Sequence, residues 1–215
     1  MRPQALLVAA TLLSACGGLA PLRPITVADR AETIRECRAL FPSGRWQATH
    51  VVEAQLPLGH QGSFLGAVSV QQPGRVFRSV LMSAEGMVLF DVTYQDGRIT
   101  THRAVAPLDA QGFGRGMTGD IRLLLLPPDG PLSEVGEAQS GHRACRWRRG
   151  DGKTVEAVLE APNQTRILLY ADDSLSREAW LLGGARQGFF PEMRLEARGR
   201  ASYSLRLKLL DAKLD

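Results

Sequence analysis

Between Tyr203 and Leu209 the chain alternates: Tyr203, Leu205, Leu207 and Leu209 are apolar, and Ser204, Arg206 and Lys208 stand between them. Side chains two positions apart share a face of a strand, so the stretch predicts a strand with one buried face. Val155, Ala157 and Leu159 repeat the pattern, as do Met193, Leu195 and Ala197. The same period predicts a first group of strands over 45–56, 63–71, 75–83, 86–94 and 98–105. A second group follows over 141–149, 153–161, 165–171, 178–182, 193–198 and 201–210. Separators such as Gln72-Pro73-Gly74 and Gln95-Asp96-Gly97 are short. Links of that length join antiparallel neighbours, whereas parallel pairing needs crossovers of about a dozen residues or more. Each group therefore reads as a meander.

Helical spacing occurs in two places. Val27, Ala31, Ile34, Cys37 and Phe41 recur at helical steps, with Arg30, Arg35, Glu36 and Arg38 around them. Thr26 stands as cap with Asp29 three residues on, and Pro42 and Gly44 close the segment. Between the strand groups, 107–119 breaks the alternation. Thr118 or Asp120 then caps a short apolar helix, Ile121 to Leu126, stopped by Pro127-Pro128, and a second brief helix follows Pro131. Ten or eleven strands with these helices predict one strongly curved antiparallel sheet whose apolar face the helices cover. Plugged completely, that face is a packed core; covered by a lid, it encloses a hydrophobic cavity. Alternation leaves both open.

The first residues add a compartment. Arg2 precedes an unbroken small and aliphatic run, Ala5 to Leu13, too short to span a bilayer. The layout is that of a secretory signal. Leu13-Ser14-Ala15-Cys16 resembles the bacterial lipobox, in which the Cys sulfur takes a diacylglycerol, the leader is cleaved before it, and the new amino terminus is acylated. The resemblance implies a leader over 1–15 and an anchor at Cys16. It also implies a flexible tether over 16–25 ahead of one domain over 26–215. Several acyl chains hold a protein firmly where one binds marginally. In the Gram-negative lipoproteins that this leader resembles, an Asp after the Cys favours retention at the inner membrane; Gly17 stands there instead, so the resemblance implies the outer membrane.

Removal of the leader leaves 200 residues, enough for one domain with a substantial core. A hydrophobic content of 44% and a charged content of 22% are those of a globular chain. The net charge of +4 is spread along the sequence without the basic block of a nucleic-acid binder. Cys37 and Cys145 remain, either as a disulfide suited to an exported protein or as two buried thiols. There is no Gly-x-Ser-x-Gly, no His-Glu-x-x-His and no Cys-x-x-Cys. His50, His60, His102 and His142 stand far apart, so no metal or other cofactor is expected. Gly114-Arg-Gly-Met-Thr-Gly119 matches G-x-G-x-x-G but lacks a parallel strand before it, and reads as a hinge. Asp172-Asp173 reads as a solvated turn, and Trp46, Trp147 and Trp180 as core. Arg143, Arg146, Arg148 and Arg149 read as a solvated strand face, with lipid headgroups as the sharper alternative.

The order of elements resembles the LolA/LolB-like lipoprotein-carrier fold, most closely in the stretch from Phe77 to Val92 and in Asp96-Gly-Arg-Ile. It also resembles a family of proteobacterial outer-membrane lipoproteins that often lie near genes for aryl-polyene-type, fatty-acid-like biosynthesis. The resemblance implies an unclosed half β-barrel covered by an amino-terminal helix and a mid-chain helical lid. On that reading Phe64, Val68, Val70, Val80, Val88, Phe90, Val92, Leu205, Leu207 and Leu209 are cavity candidates. Ile121, Leu124 and Leu125 are lid candidates, and Leu56 and Leu58 sit on a loop that touches the membrane. The implied function is binding of an acyl-bearing lipid or lipoprotein and help in its transfer to the outer membrane, without covalent chemistry. The alternative is a scaffold lipoprotein of an envelope or export complex. The expected partners are the membrane, an acyl ligand and envelope export proteins, with no nucleic acid, and the chain is expected to be a monomer.

Overall fold

Two antiparallel meanders form the body of the protein, seen in a computed structural model that describes residues 19–71, 76–199 and 202–214. The first comprises β1 (Trp46–Gln55), β2 (Gln61–Gln71), β3 (Val76–Met82), β4 (Val88–Gln95) and β5 (Arg98–Ala104). The second comprises β6 (Leu132–Glu137), β7 (Arg143–Arg148), β8 (Thr154–Ala161), β9 (Gln164–Ala171), β10 (Ser174–Leu182), β11 (Glu192–Ala197) and β12 (Tyr203–Leu214). The first strand pairs with the last, so the twelve form one sheet in the order β5-β4-β3-β2-β1-β12-β11-β10-β9-β8-β7-β6. Among the described residues the edge strands β5 and β6 do not pair with each other. The sheet is therefore an open half-barrel, as the alternation and the resemblance imply.

The twelfth strand is β6, where the sequence reading expects a brief helix. Leu132 and Val135 alone give too little alternation to show it, and pairing with β7 supplies the missing order. Two tight hairpins use backbone that favours small polar residues or glycine. Asp96-Gly97 and Asp172-Asp173 all have positive φ, between 49° and 83°.

Helix α1 (Val27–Ala39) begins at the expected capping box: the Thr26 hydroxyl donates to the Asp29 carboxylate and accepts from its amide, at 2.6 and 3.2 Å. Its buried face differs from the apolar stripe in the sequence. Val27 is 86% exposed and Ala31 is exposed, while Thr33 and Cys37 are buried. The cause is a polar and covalent attachment to β6 and β7. Arg143 pairs with Glu32 and Glu36, Arg30 donates to the Val135 carbonyl, and Cys37 and Cys145 form a disulfide. Leu40 and Phe41 then lead the chain into the main core beside Trp46 and Phe189.

Helix α2 (Phe113–Leu125) starts eight residues earlier than the sequence predicts. Gly114, Gly116 and Gly119 fall inside it, so the G-x-G-x-x-G stretch is helix and not a hinge. Each glycine costs a helix about 1 kcal/mol relative to alanine. Phe113 and Met117 extend the apolar stripe of Ile121 and Leu124, and their burial against the sheet outweighs that cost.

Candidate functional site

Inward-facing residues of the sheet meet two different environments. Over β7 to β11 and the lower part of β1 to β4 they are packed solid, with Trp46, Phe77, Val155, Ile167, Leu181 and Leu195 at 0–2% exposure. Nearer the β1–β2 loop the space beneath α2 is unfilled. A cavity of about 260 Å³ lies there. Its walls are His50, Val52 and Ala54 of β1, Phe64 and Val68 of β2, Ser79 and Leu81 of β3, and Leu205 and Leu207 of β12. Its roof is Phe113, Met117, Ile121, Leu124 and Leu125. Small residues keep it open. A Cβ on Gly66 would meet Val52 at 3.0 Å, and a Cβ on Gly116 would project into space empty to 4 Å.

Four polar side chains face this space: His50, Ser79, Asp120 and Tyr203. His50 is 2% exposed, and burial lowers its pKa to about 4, so the imidazole is neutral near pH 7. Asp120 stands on the apolar stripe of α2, where a bare carboxylate would be costly. Tyr203 of β12 donates a short hydrogen bond to it, and Arg177 of β10 donates from Nε at 3.1 Å. Burial nevertheless holds the Asp120 carboxyl above its usual range, with Tyr203 and Arg177 pulling it back down. Burial and the neighbouring Asp120 likewise push the Tyr203 phenol well above its usual value. Arg177 also stacks over the Tyr203 ring, 5.4 Å from its centroid. These three residues tie the roof to the wall. Among the described residues no cation lines the cavity.

The cavity candidates separate along the strands. Phe64, Val68, Leu205 and Leu207 line the space, and Ile121, Leu124 and Leu125 roof it. Val70 lies lower, in the filled core with Trp46 and Phe77, and Leu209 packs against that same core. Phe90 and Val92 form a satellite cluster under the start of α2, where Phe90 meets Phe113 edge-on at 5.1 Å. Val80 registers with Asp91 and Val88 with Met82, and neither belongs to a core cluster. A bulge between Leu81 and Met82 shifts that end of β4 out of the period the sequence suggests. Leu56, expected on a membrane-touching loop, lines the cavity rim together with Pro57. The side chain of Leu58 and the whole of Cys16 lie outside the described residues.

The arginine cluster is largely internal. Arg143 bridges to α1, and Arg146 is 4% exposed, bonded to Glu156 and Glu134. Arg149 pairs with Asp151, leaving Arg148 exposed. Trp46 and Trp147 are buried, whereas Trp180 lies on the outer face, in register with Arg194. Trp180 and Arg194 join Glu53 and Arg206 in a wider outer groove of about 970 Å³. Three of its charges are paired with residues beside it, Arg206 and Arg194 with Glu192, and Glu53 with Lys208. Open to water, it is a poor place for an apolar ligand.

The residues that sequence reasoning missed are His50, Asp120, Tyr203 and Arg177. Two of them had a signal. Asp120 falls on the stripe of Met117, Ile121 and Leu124, and His50 shares the inward parity of Trp46, Ala48 and Val52. A polar residue on a buried face requires a partner or a neutral state.

No family model matches the sequence, and no curated protein does. Solved structures do. A LolA superfamily protein from Nitrosomonas europaea superposes with a TM-score of 0.51 at 10% identity, over 89% of this chain and 94% of that one. A domain from Vibrio parahaemolyticus, described as an outer membrane lipoprotein-sorting protein domain, gives 0.49 at 9% identity, over 87% and 93%. A DUF1329 family protein from Desulfovibrio piger gives 0.46 at 12% identity, over 88% and 93%. The first of these likenesses shows a LolA-like fold. At such identity it shows nothing finer.

Proposed function

We propose that this protein is a lipid-anchored envelope protein that holds an acyl chain in the cavity beneath α2 and takes part in its transfer toward the outer membrane. The observation that carries the reading is an unfilled space of about 260 Å³ beside a packed core, walled mostly by apolar side chains and roofed by a helix without covalent attachment. Water occupies roughly 30 Å³ per molecule, and a methylene displaces about as much, so the closed cavity takes one chain of about eight or nine carbons. Each buried CH2 contributes about 0.8 kcal/mol before the cost of immobilising the chain. Among the described residues the wall offers no cation to a carboxylate, so the head group stays at the rim and the chain alone is held. A longer or multiply acylated ligand requires α2 to move, which means opening the Asp120–Arg177–Tyr203 contact. The LolA superfamily likeness supports this reading through the fold alone. No nucleophile or base is required for it.

Gly116→Leu is the direct test. The substitution fills the cavity from the roof and replaces a poor helix former by a good one. Binding of an apolar fluorescent dye, and lipid carried through purification and detected by mass spectrometry, are expected to fall severalfold with no loss of thermal stability. Equal dye and lipid uptake by both proteins would place the ligand elsewhere.

A further inference from the structure

Among the described residues every buried charge has an opposite partner. Asp91 pairs with Arg78, Asp120 with Arg177, Arg146 with Glu156 and Glu134, and Glu178 with Arg166 and Arg198. Even the segment expected as a flexible tether is tied down from Ala20 onward. The Ala20 carbonyl accepts from Arg146, and Arg23 exchanges both backbone hydrogen bonds with Glu137, at 2.8 and 2.9 Å. Two uncharged polar side chains of the cavity stand in contrast. His50 is 2% exposed and Ser79 is 5% exposed, and both line the space beneath α2. Among the described residues neither side chain has a hydrogen-bond partner.

Both belong to the cavity floor. From the rim at Leu56 the inward positions run through Ala54 and Val52 to His50, and the next ones, Ala48 and Trp46, are filled core. On β3, Leu81 and Ser79 line the space and Phe77 is filled core. His50 registers with Gly66 and Gly66 with Leu81, so Ser79 lies two strands across and one same-face step further in. Strand spacing and rise put their two backbones roughly 12 Å apart, near enough for the end of one bound chain to face both. An aliphatic side chain at either position would close the core without penalty, whereas an unpaired polar group in an apolar wall is costly. Nothing else in the described fold makes use of these two groups.

We propose that the cavity floor is a hydrogen-bonding subsite for a hydroxyl carried near the far end of the bound chain. The inference rests on the reading of the cavity as the acyl site, and it narrows the ligand from any medium chain to one oxygenated at its distal end. Burial keeps His50 neutral near pH 7, so its ring offers one N–H and one bare nitrogen. Ser79 brings a hydroxyl that donates and accepts. A ligand hydroxyl does both in return, while a carbonyl only accepts and leaves the bare nitrogen unserved. A charged end is disfavoured, because among the described residues no cation lines the space. A plain methyl end leaves both side chains unpaired.

The test sets nonanoate against ω-hydroxynonanoate, which differ only at the distal end, as competitors for an apolar fluorescent dye bound to the purified protein. The hydroxylated chain is expected to bind about tenfold more tightly. His50→Leu should reverse that order, since the ligand hydroxyl then meets an apolar wall. Ser79→Ala should weaken the preference by less, and it adds no bulk, so the outcome does not depend on the fold accepting His50→Leu. His50→Gln keeps a donor and an acceptor and should retain the preference. Tighter binding of nonanoate by the unmodified protein, or a preference that neither His50→Leu nor Ser79→Ala alters, would overturn the subsite. In that case ordered water alone serves the floor and the acyl cavity stands. Displacement of the dye by neither competitor would overturn the acyl cavity itself, and the subsite with it.

Discussion

The two helices cover the same sheet by opposite means. Helix α1 buries only Thr33 and Cys37 along its length, and a disulfide and the Arg143 ion pairs hold it. Helix α2 buries five residues and has a continuous apolar stripe, yet no covalent bond, and a cavity remains beneath it. One end of the concave face is filled and bolted; the other is roofed and latched by Asp120. An apolar surface that must open cannot be crosslinked, and an edge strand that must stay closed gains most from being so. The division fits the proposed role, in which one half is scaffold and the other exchanges its contents.

Removing the bolt should have the largest effect. The Cys37–Cys145 bond closes a loop of sequence separation 108. In the chain-entropy model such a bond contributes about 4–5 kcal/mol. Cys37→Ala with Cys145→Ala is therefore expected to lower the unfolding free energy by that order in denaturant titration, with α1 the first element lost. A loss below about 1 kcal/mol would mean that the ion pairs alone secure α1.

The cavity end should show itself through pH. His50 is neutral in the fold, with a pKa of about 4 against 6.5 unfolded, so the unfolded chain binds the extra proton between those values. Stability is fully present above pH 6.5 and declines as pH falls toward 4, by about 3 kcal/mol in all. His50→Gln should flatten that slope in urea titrations repeated across the range. Asp120 acts in the other direction. Its raised pKa means the closed form binds a proton more readily than an opened one, so acidification through that range favours closure.

Breaking the latch should cost less and act locally. Asp120→Ala leaves Arg177 and the Tyr203 hydroxyl without their shared acceptor, a loss of about 2 kcal/mol. Stopped-flow dye entry is expected to accelerate, because opening no longer breaks that contact. Unchanged kinetics would show that apolar packing alone sets the rate of opening.

Much of the architecture is legible in the sequence, and the limit falls at a physical boundary. Period-two alternation reports which face of a strand is buried, and it places eleven of the twelve strands to within a few residues. It does not report what lies over that face. Leu205, Leu207 and Leu209 share one strand and one parity, yet the first two line the cavity and the third packs on filled core. The helices mislead in complementary ways. Helix α1 has an apolar stripe that its polar attachment turns outward at Val27 and Ala31, and the glycines of α2 conceal its first two turns. The latch is long-range, linking Asp120 to Tyr203 across 83 positions, and only the anomaly of a carboxylate on an apolar stripe hints at it.

Native-state hydrogen exchange of the two helices, with and without a medium-chain acyl ligand, tests the contrast most directly. The account predicts that amides of Phe113–Leu125 exchange through a local opening well below the global unfolding free energy, and that ligand slows them. Amides of Val27–Ala39 should exchange only with global unfolding and respond to ligand no more than the rest of the sheet does. If both helices exchange together at the global limit and the ligand leaves α2 unchanged, α2 is core and not a lid.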